Sequence, residues 1–401
     1  MRVVSGIAAL VTILVVTTGC TTHATPEPGP VILDWREVTL PDAPAGERNA
    51  PRAAAVCADG RVYVVGAYVR ADGSTSPAAW TSPDLQSWAT VPVSASTFYG
   101  VQHELYGATC RDGTLVALGA KPGGAHGNPR ISSYRTVGAG GAAAALTEVP
   151  APFESFGGAD AVNVGRVSSG PPGFLISGNR RTGAAVWLSP DGGGFDIVEA
   201  APVLSTGTGP VTWAQDAAWT DGAWVVVGAT AASPLHRDAA SWRSSDGRTW
   251  ATLAAQNGPG YDEMDVVTPH ADTLIALGQN DATFQAWRLD PGGWVMTGRF
   301  GSTRADDGRI PSLAGLASSG DTLLAAVTFT GISGDDTGTV GVPVLWRSTD
   351  GGASWSPVAA PPGTDTGRQR GDAVVGTAGG FLAVVDDGTT ERVFVTTGPP
   401  A

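Results

Sequence analysis

Few side chains of this 401-residue chain stand in a pattern that chemistry would use. Tyr261 precedes Glu263 by two residues in "GYDEMDVV", and a phenol beside a carboxylate can be activated as a nucleophile. Arg309 opens "RIPSLAGLASSGD", and a guanidinium on an inner strand would bind a carboxylate through two parallel hydrogen bonds. Arg368 and Arg370 are further arginines without a recognisable context, and Asp335–Asp336 is a carboxylate pair. The five histidines, His23, His103, His126, His236 and His270, are scattered without ligand spacing, so no metal site is expected. No nucleophile elbow, Walker loop, dinucleotide fingerprint or zinc-protease motif occurs, and no cofactor is called for.

What must position these residues is a repeated unit. A short apolar strand recurs as "RVYVVGA" (61–67), "TLVALGA" (114–120), "GFLISGN" (173–179), "AWVVVGA" (223–229), "TLIALGQ" (273–279), "TLLAAVT" (322–328) and "GFLAVVD" (380–386). Each follows a Gly/Asp-rich turn. After most of them comes a strand carrying Trp80, Trp187, Trp242, Trp287 or Trp346, then a Ser-x-Asp turn (shortened to Leu-Asp-Pro-Gly-Gly after Trp287), then an aromatic that opens another strand. Four short strands per unit at regular spacing, with no sustained helical periodicity, predict an all-β, seven-bladed β-propeller. The second unit is the weakest, since "RISSYRTVGAGGAAAALTEV" has neither Asp nor Trp, and a six-bladed ring with an inserted hairpin is the alternative. The segment 31–41 reads as a fourth strand without partners, and 391–398 as a third strand without a fourth. The N-terminal strand around Trp35 is therefore expected to close the last blade, which removes the open ends of the ring.

The turns resemble the Asp-box, or bacterial neuraminidase repeat, Ser-x-Asp-x-Gly-x-x-Trp. The matches are Ser82, Asp84 and Trp88; Ser189, Asp191 and Phe195; Ser244, Asp246 and Trp250; and Ser348, Asp350 and Trp355. Ser and Asp would bond turn amides and the aromatic would pack the turn on the sheet, so these carboxylates are structural. The chain is thus similar to the sialidase-like superfamily. Sialidases bind a carboxylate with three arginines, one in an Arg-Ile-Pro motif, and use an Asp as acid/base and a Tyr–Glu pair as nucleophile. Carried to this chain, the resemblance implies Arg309 as carboxylate ligand, Asp335 or Asp336 as acid/base and Tyr261–Glu263 as nucleophile pair.

The N-terminus carries an address. Arg2 precedes an apolar run from Val3 to Val16 that is too short for a confident span and fits a secretory signal. Thr18, Gly19 and Cys20 resemble the bacterial lipobox, with Thr17 where Leu is usual; an ordinary signal peptide or an uncleaved anchor is the alternative. The expected organisation is a signal peptide at 1–19, a lipidated Cys20 with a Thr/Pro-rich tether to 30, and a propeller over 31–401. One lysine against 23 arginines, with abundant Ala and Gly, resembles the composition of actinobacterial-type exported proteins. Cys57 and Cys110 occupy one position in consecutive repeats, and an oxidising compartment favours their disulfide over two buried thiols.

The net charge is −13, or −14 once Arg2 is removed with the signal, which speaks against nucleic-acid partners. The function expected is that of a non-catalytic, monomeric cell-envelope lipoprotein, held to the membrane through its lipid anchor alone. It would bind a glycan, peptide or protein partner on the loops 67–79, 120–130, 229–240 and 329–343. The alternative is a sialidase-like exo-glycoside hydrolase.

Overall fold

The computed structural model describes residues 29–123, 129–137, 144–206, 209–233, 236–304, 309–330 and 342–396. Residues 1–19 and Cys20 lie outside the described residues. Seven sheets follow one another along the chain, each built on antiparallel strands. Blades 1 to 7 span 47–91, 104–149, 161–198, 211–253, 262–300, 310–357 and 370–396. The last is completed by Trp35–Glu37, which pairs with the final strand through Trp35↔Thr396, Arg36↔Val395 and Glu37↔Phe394. The seven-bladed ring, closed by its N-terminal strand, is therefore the fold. Blade 2 gains a fifth strand, Val93–Ser94, lying parallel to Leu146–Thr147.

Burial follows the position of each strand. The second strands are covered by neighbouring blades on both faces, so they read as continuous apolar runs: Gly173–Arg180 and Gly380–Asp386 are buried throughout. One register position on the third strand carries an aromatic in every blade: Trp80, Tyr134, Trp187, Trp242, Trp287, Trp346 and Phe394. Blade 2 thus keeps an aromatic, Tyr134, where its sequence lacks Trp. The core is a ring of clusters lying between blades; one joins Val65 and Ala79 to Leu115 and Tyr134, another joins Trp80 to Leu382 and Val395. Cys57 and Cys110 are disulfide-bonded with Cα atoms 5.0 Å apart, linking blades 1 and 2.

Every first strand slips against the second at one shared level, and that of blade 3 slips a second time, at Ala161/Asn163. The shared shifts lie at Pro51/Ala53, Leu105/Gly107, Val164/Val167, Ala214/Asp216, Met264/Val266, Leu313/Gly315 and Gly371/Ala373. Such bulges bend a strand and re-aim the extra residue. Opposite the bulge, the glycine of the recurring motif has a geometric cause. A Cβ on Gly66, Gly228 or Gly278 would overlap the carbonyl oxygen of Ala50, Trp213 or Glu263, respectively.

Strand direction separates the two faces. One carries the hairpin turns between first and second strands and the Ser-x-Asp turns. In four of the latter the serine hydroxyl accepts from a turn amide: Leu85, Gly192, Gly247 and Gly352, at 2.8–2.9 Å. The aspartates accept from the next amides, Asp246 from Arg248 and Thr249 at 2.8 and 2.7 Å. These bonds hold Asp84 down to about 2 and also depress Asp191, Asp246 and Asp350. The other face carries all blade-to-blade connections. Two of the four expected loops there are largely strand: Val62–Arg70 turns tightly into Thr75–Ser82, and Ala223–Ser233 extends close to His236–Ser244. Most of 329–343 lies outside the described residues.

Candidate functional site

The seven bulges converge on the ring axis, where the first strands enclose a channel of about 640 Å3. The unpaired positions bring Arg52, Tyr106, Arg166, Gln215, Asp265, Ala314 and Asp372 to one level. Arg52 is held by three carboxylates: it pairs closely with Glu104 and Glu391, and its Nη1 lies 3.5 Å from Asp372 Oδ2. Burial dominates at Asp372 and pushes its carboxyl up to about 7, against Arg52 and Arg370. Across the channel, burial and then the charge of Glu263 push Asp265 up, and burial raises Asp216. Asp216 accepts from the amides of Ala217 and Val267 at 2.8 and 3.0 Å.

At the connection-bearing mouth, the start of blade 5 sets Tyr261 beside Glu263, and blade 4 brings Arg237 and Gln215 to them. The Tyr261 hydroxyl donates to Glu263 Oε2. The same carboxylate accepts from Arg237 Nη1 at 2.7 and 2.6 Å and from Gln215 Nε2 at 2.5 Å. Arg237 itself lies over the rings of Trp213 and Tyr261, 5.3 and 5.6 Å from their centroids. Glu263 is therefore occupied by three donors, and burial and then the Glu263 charge raise the Tyr261 phenol well above its ordinary range. That direction opposes nucleophilic use of the phenolate.

Arg309 takes a different position. It sits just before the first strand of blade 6, is buried, donates to the Gly367 carbonyl at 3.1 Å and lies 4.3 Å from the centroid of the Phe329 ring. Arg370, one of the two further arginines, is paired with Asp386, and Arg368 packs against Gly388. Asp335 and Asp336 lie outside the described residues. Among the described residues no three His, Cys, Asp or Glu side chains come together to hold a metal ion.

A second site opens on the same face between blades 2 and 3. A cavity of about 700 Å3 is walled by Tyr106, Ile131, Phe153, Phe156, Val162 and Val164, with Arg130 as its cation. The short helix Phe153–Phe156, in the connection between these blades, supplies two of the rings. Phe153 is 54% and Val162 42% exposed, which leaves an apolar patch at the rim. The sequence reading missed Arg130, Arg237 and the bulge residues. Aligning the repeats would have found the last group, because Gln215, Asp265 and Asp372 precede Gly228, Gly278 and Val385 at one constant spacing.

No family model matches the chain, and no curated protein sequence does. Solved structures do. A Trypanosoma rangeli sialidase in complex with the inhibitor DANA aligns at 12% identity and TM-score 0.43, covering 75% of this chain and 54% of that one. The chain thus spans about half the length of that sialidase. An ulvan lyase bound to -[GlcA(1-4)Rha3S]- aligns at 11% identity and TM-score 0.48, covering 92% and 96%. A protein of unknown function from Dyadobacter fermentans DSM 18053 aligns at 12% identity and TM-score 0.45, covering 90% and 99%. No residue of this chain takes a role from them.

Proposed function

We propose that the chain is a non-catalytic extracytoplasmic lipoprotein whose propeller binds a ligand on its connection-bearing face. Residues 1–19 act as the export signal, Cys20 takes the lipid, the tether runs to 30, and 31–401 form a monomeric binding scaffold. The turns are read as Asp-boxes, whose carboxylates serve the scaffold. One observation carries the reading: the open cavity of about 700 Å3 between blades 2 and 3, within the ~300–1,000 Å3 of small-ligand sites. A glycan, peptide or envelope protein would place one apolar group there.

The purified protein is expected to bind members of a glycan and peptide array, and Phe153→Ala to abolish that binding without changing folding. An array on which both proteins behave alike counts against the reading. Cys20→Ser is expected to move the protein from the membrane fraction to the soluble one.

The hydrolase reading keeps one observation in its favour, the hydrogen bond from Tyr261 to Glu263. It is opposed by the occupation of Glu263 by Arg237 and Gln215 and by the burial of Arg309. Turnover of a fluorogenic sialoside or another glycoside, lost in Tyr261→Phe and in Arg309→Ala, would replace the binding reading with this one.

A further inference from the structure

Arg130 and Lys121 stand directly opposite each other at the start of the blade 2 hairpin. Like charges in that relation repel, and this is the chain's one lysine in a protein of net charge −13. Among the described residues, no ion pair to a carboxylate involves either of them. Glu148, on the same sheet, is already taken by the amides of Ser96 and Thr97 and the hydroxyls of Thr97 and Ser132, at 2.6–2.9 Å. The guanidinium of Arg130 lies 4.5 Å from the Phe153 ring centroid and 5.5 Å from that of Tyr99. Its Nε is shielded from solvent and finds no acceptor. A buried donor without a partner is costly, and a cation that lacks one invites an anion.

The stacked pair Arg130–Phe153 forms part of a wall shared by two cavities, of about 700 and 180 Å3. Beyond the guanidinium, the larger one offers aliphatic and aromatic surface and few hydrogen-bonding groups. A free sugar would leave most of its hydroxyls unpaired there. We infer that this groove binds a small organic anion with an apolar body, the carboxylate on Arg130 and the body against Phe153 and Phe156.

The inference deepens the binding reading and rests on it. The test is calorimetric titration of the full-length protein in detergent with 2-naphthoate, the uncharged 2-naphthamide and glucuronate. Saturable binding of naphthoate is expected, with naphthamide weaker by about tenfold or more, the ratio for one charge-assisted hydrogen bond. Arg130→Gln should remove that preference at an unchanged melting temperature, while Arg288→Gln, on the turn-bearing face, should keep it. Equal affinity for naphthoate and naphthamide, or indifference to Arg130→Gln, overturns the inference. Glucuronate bound as well as naphthoate overturns the apolar body. Glycoside turnover lost in Tyr261→Phe and Arg309→Ala would instead remove the binding reading, and the naphthoate titration reads the groove independently of it.

Discussion

The guanidinium of Arg166, on the first strand of blade 3, donates to the carbonyl of Leu313, on the first strand of blade 6, at 3.3 Å across the channel. One side chain thus ties opposite sides of the ring, and its charge also acts on Asp216 and Asp265. Arg166→Ala is expected to cost about 2 kcal/mol, the magnitude for a charge-assisted bond removed from a sheltered site. Urea unfolding measures it. Arg248→Ala breaks an exposed pair with Asp196 and is expected to change stability by less than about 0.5 kcal/mol. Equal effects of the two would show that the channel contact is idle.

The bulge geometry makes Gly278 a sharper test of the fold. A Cβ there meets the Glu263 carbonyl, which is backbone and cannot swing aside. Gly278→Ala is expected to destabilise by about 3 kcal/mol, the upper part of the overpacking range. A nearly neutral result in a thermal melt would show that the first strand can shift without loss.

The disulfide closes a loop of sequence separation 53. Chain entropy assigns such a crosslink about 4 kcal/mol. Reduction, or replacing Cys57 and Cys110 together by alanine, is expected to lower the melting temperature strongly while leaving the circular dichroism of the native state unchanged. A melt insensitive to reductant would place the stability of blades 1 and 2 in their apolar interface alone.

Asp372 gives a pH signature. Its folded pKa, about 7, lies above the unfolded value of 3.8, so the folded state holds the proton more tightly. Its contribution is fully present below pH 3.8 and is lost as pH rises to 7, by up to about 4 kcal/mol. His103, lowered by burial to about 4, acts in the opposite direction over much of that window. The informative quantity is therefore the difference between wild type and Asp372→Asn. Wild type is expected to gain on the variant at pH 4 and to lose ground by pH 8. A pH-independent difference would mean that Arg52 and Arg370 keep Asp372 ionised throughout.

Local patterning made much of the fold legible. The recurring apolar strand, the Trp-bearing third strand and the unpartnered end segments each report a short-range constraint, and together they specify seven blades and their closure. Tyr134 shows the limit, since one aromatic without its turn motif left blade 2 open to a second interpretation. The Tyr261–Glu263 pair was also legible, because two residues apart on a strand means the same face. Its partners were not: Gln215 and Arg237 come from the neighbouring blade, 48 and 26 residues away.

The sequence by itself determined the strand repeat, the class of fold and the position of the cysteines, because each depends on side-chain periodicity or on repeat alignment. Only the tertiary structure decided which charged groups meet. Ring closure carries Arg166 to Leu313, turns Arg309 into a buried group over Phe329, and sets Arg130 on the wall of a groove between blades 2 and 3. The physical reason is that charge and burial depend on neighbouring blades, and propeller packing sets those neighbours through bulges and inter-blade apolar contacts that no single repeat contains.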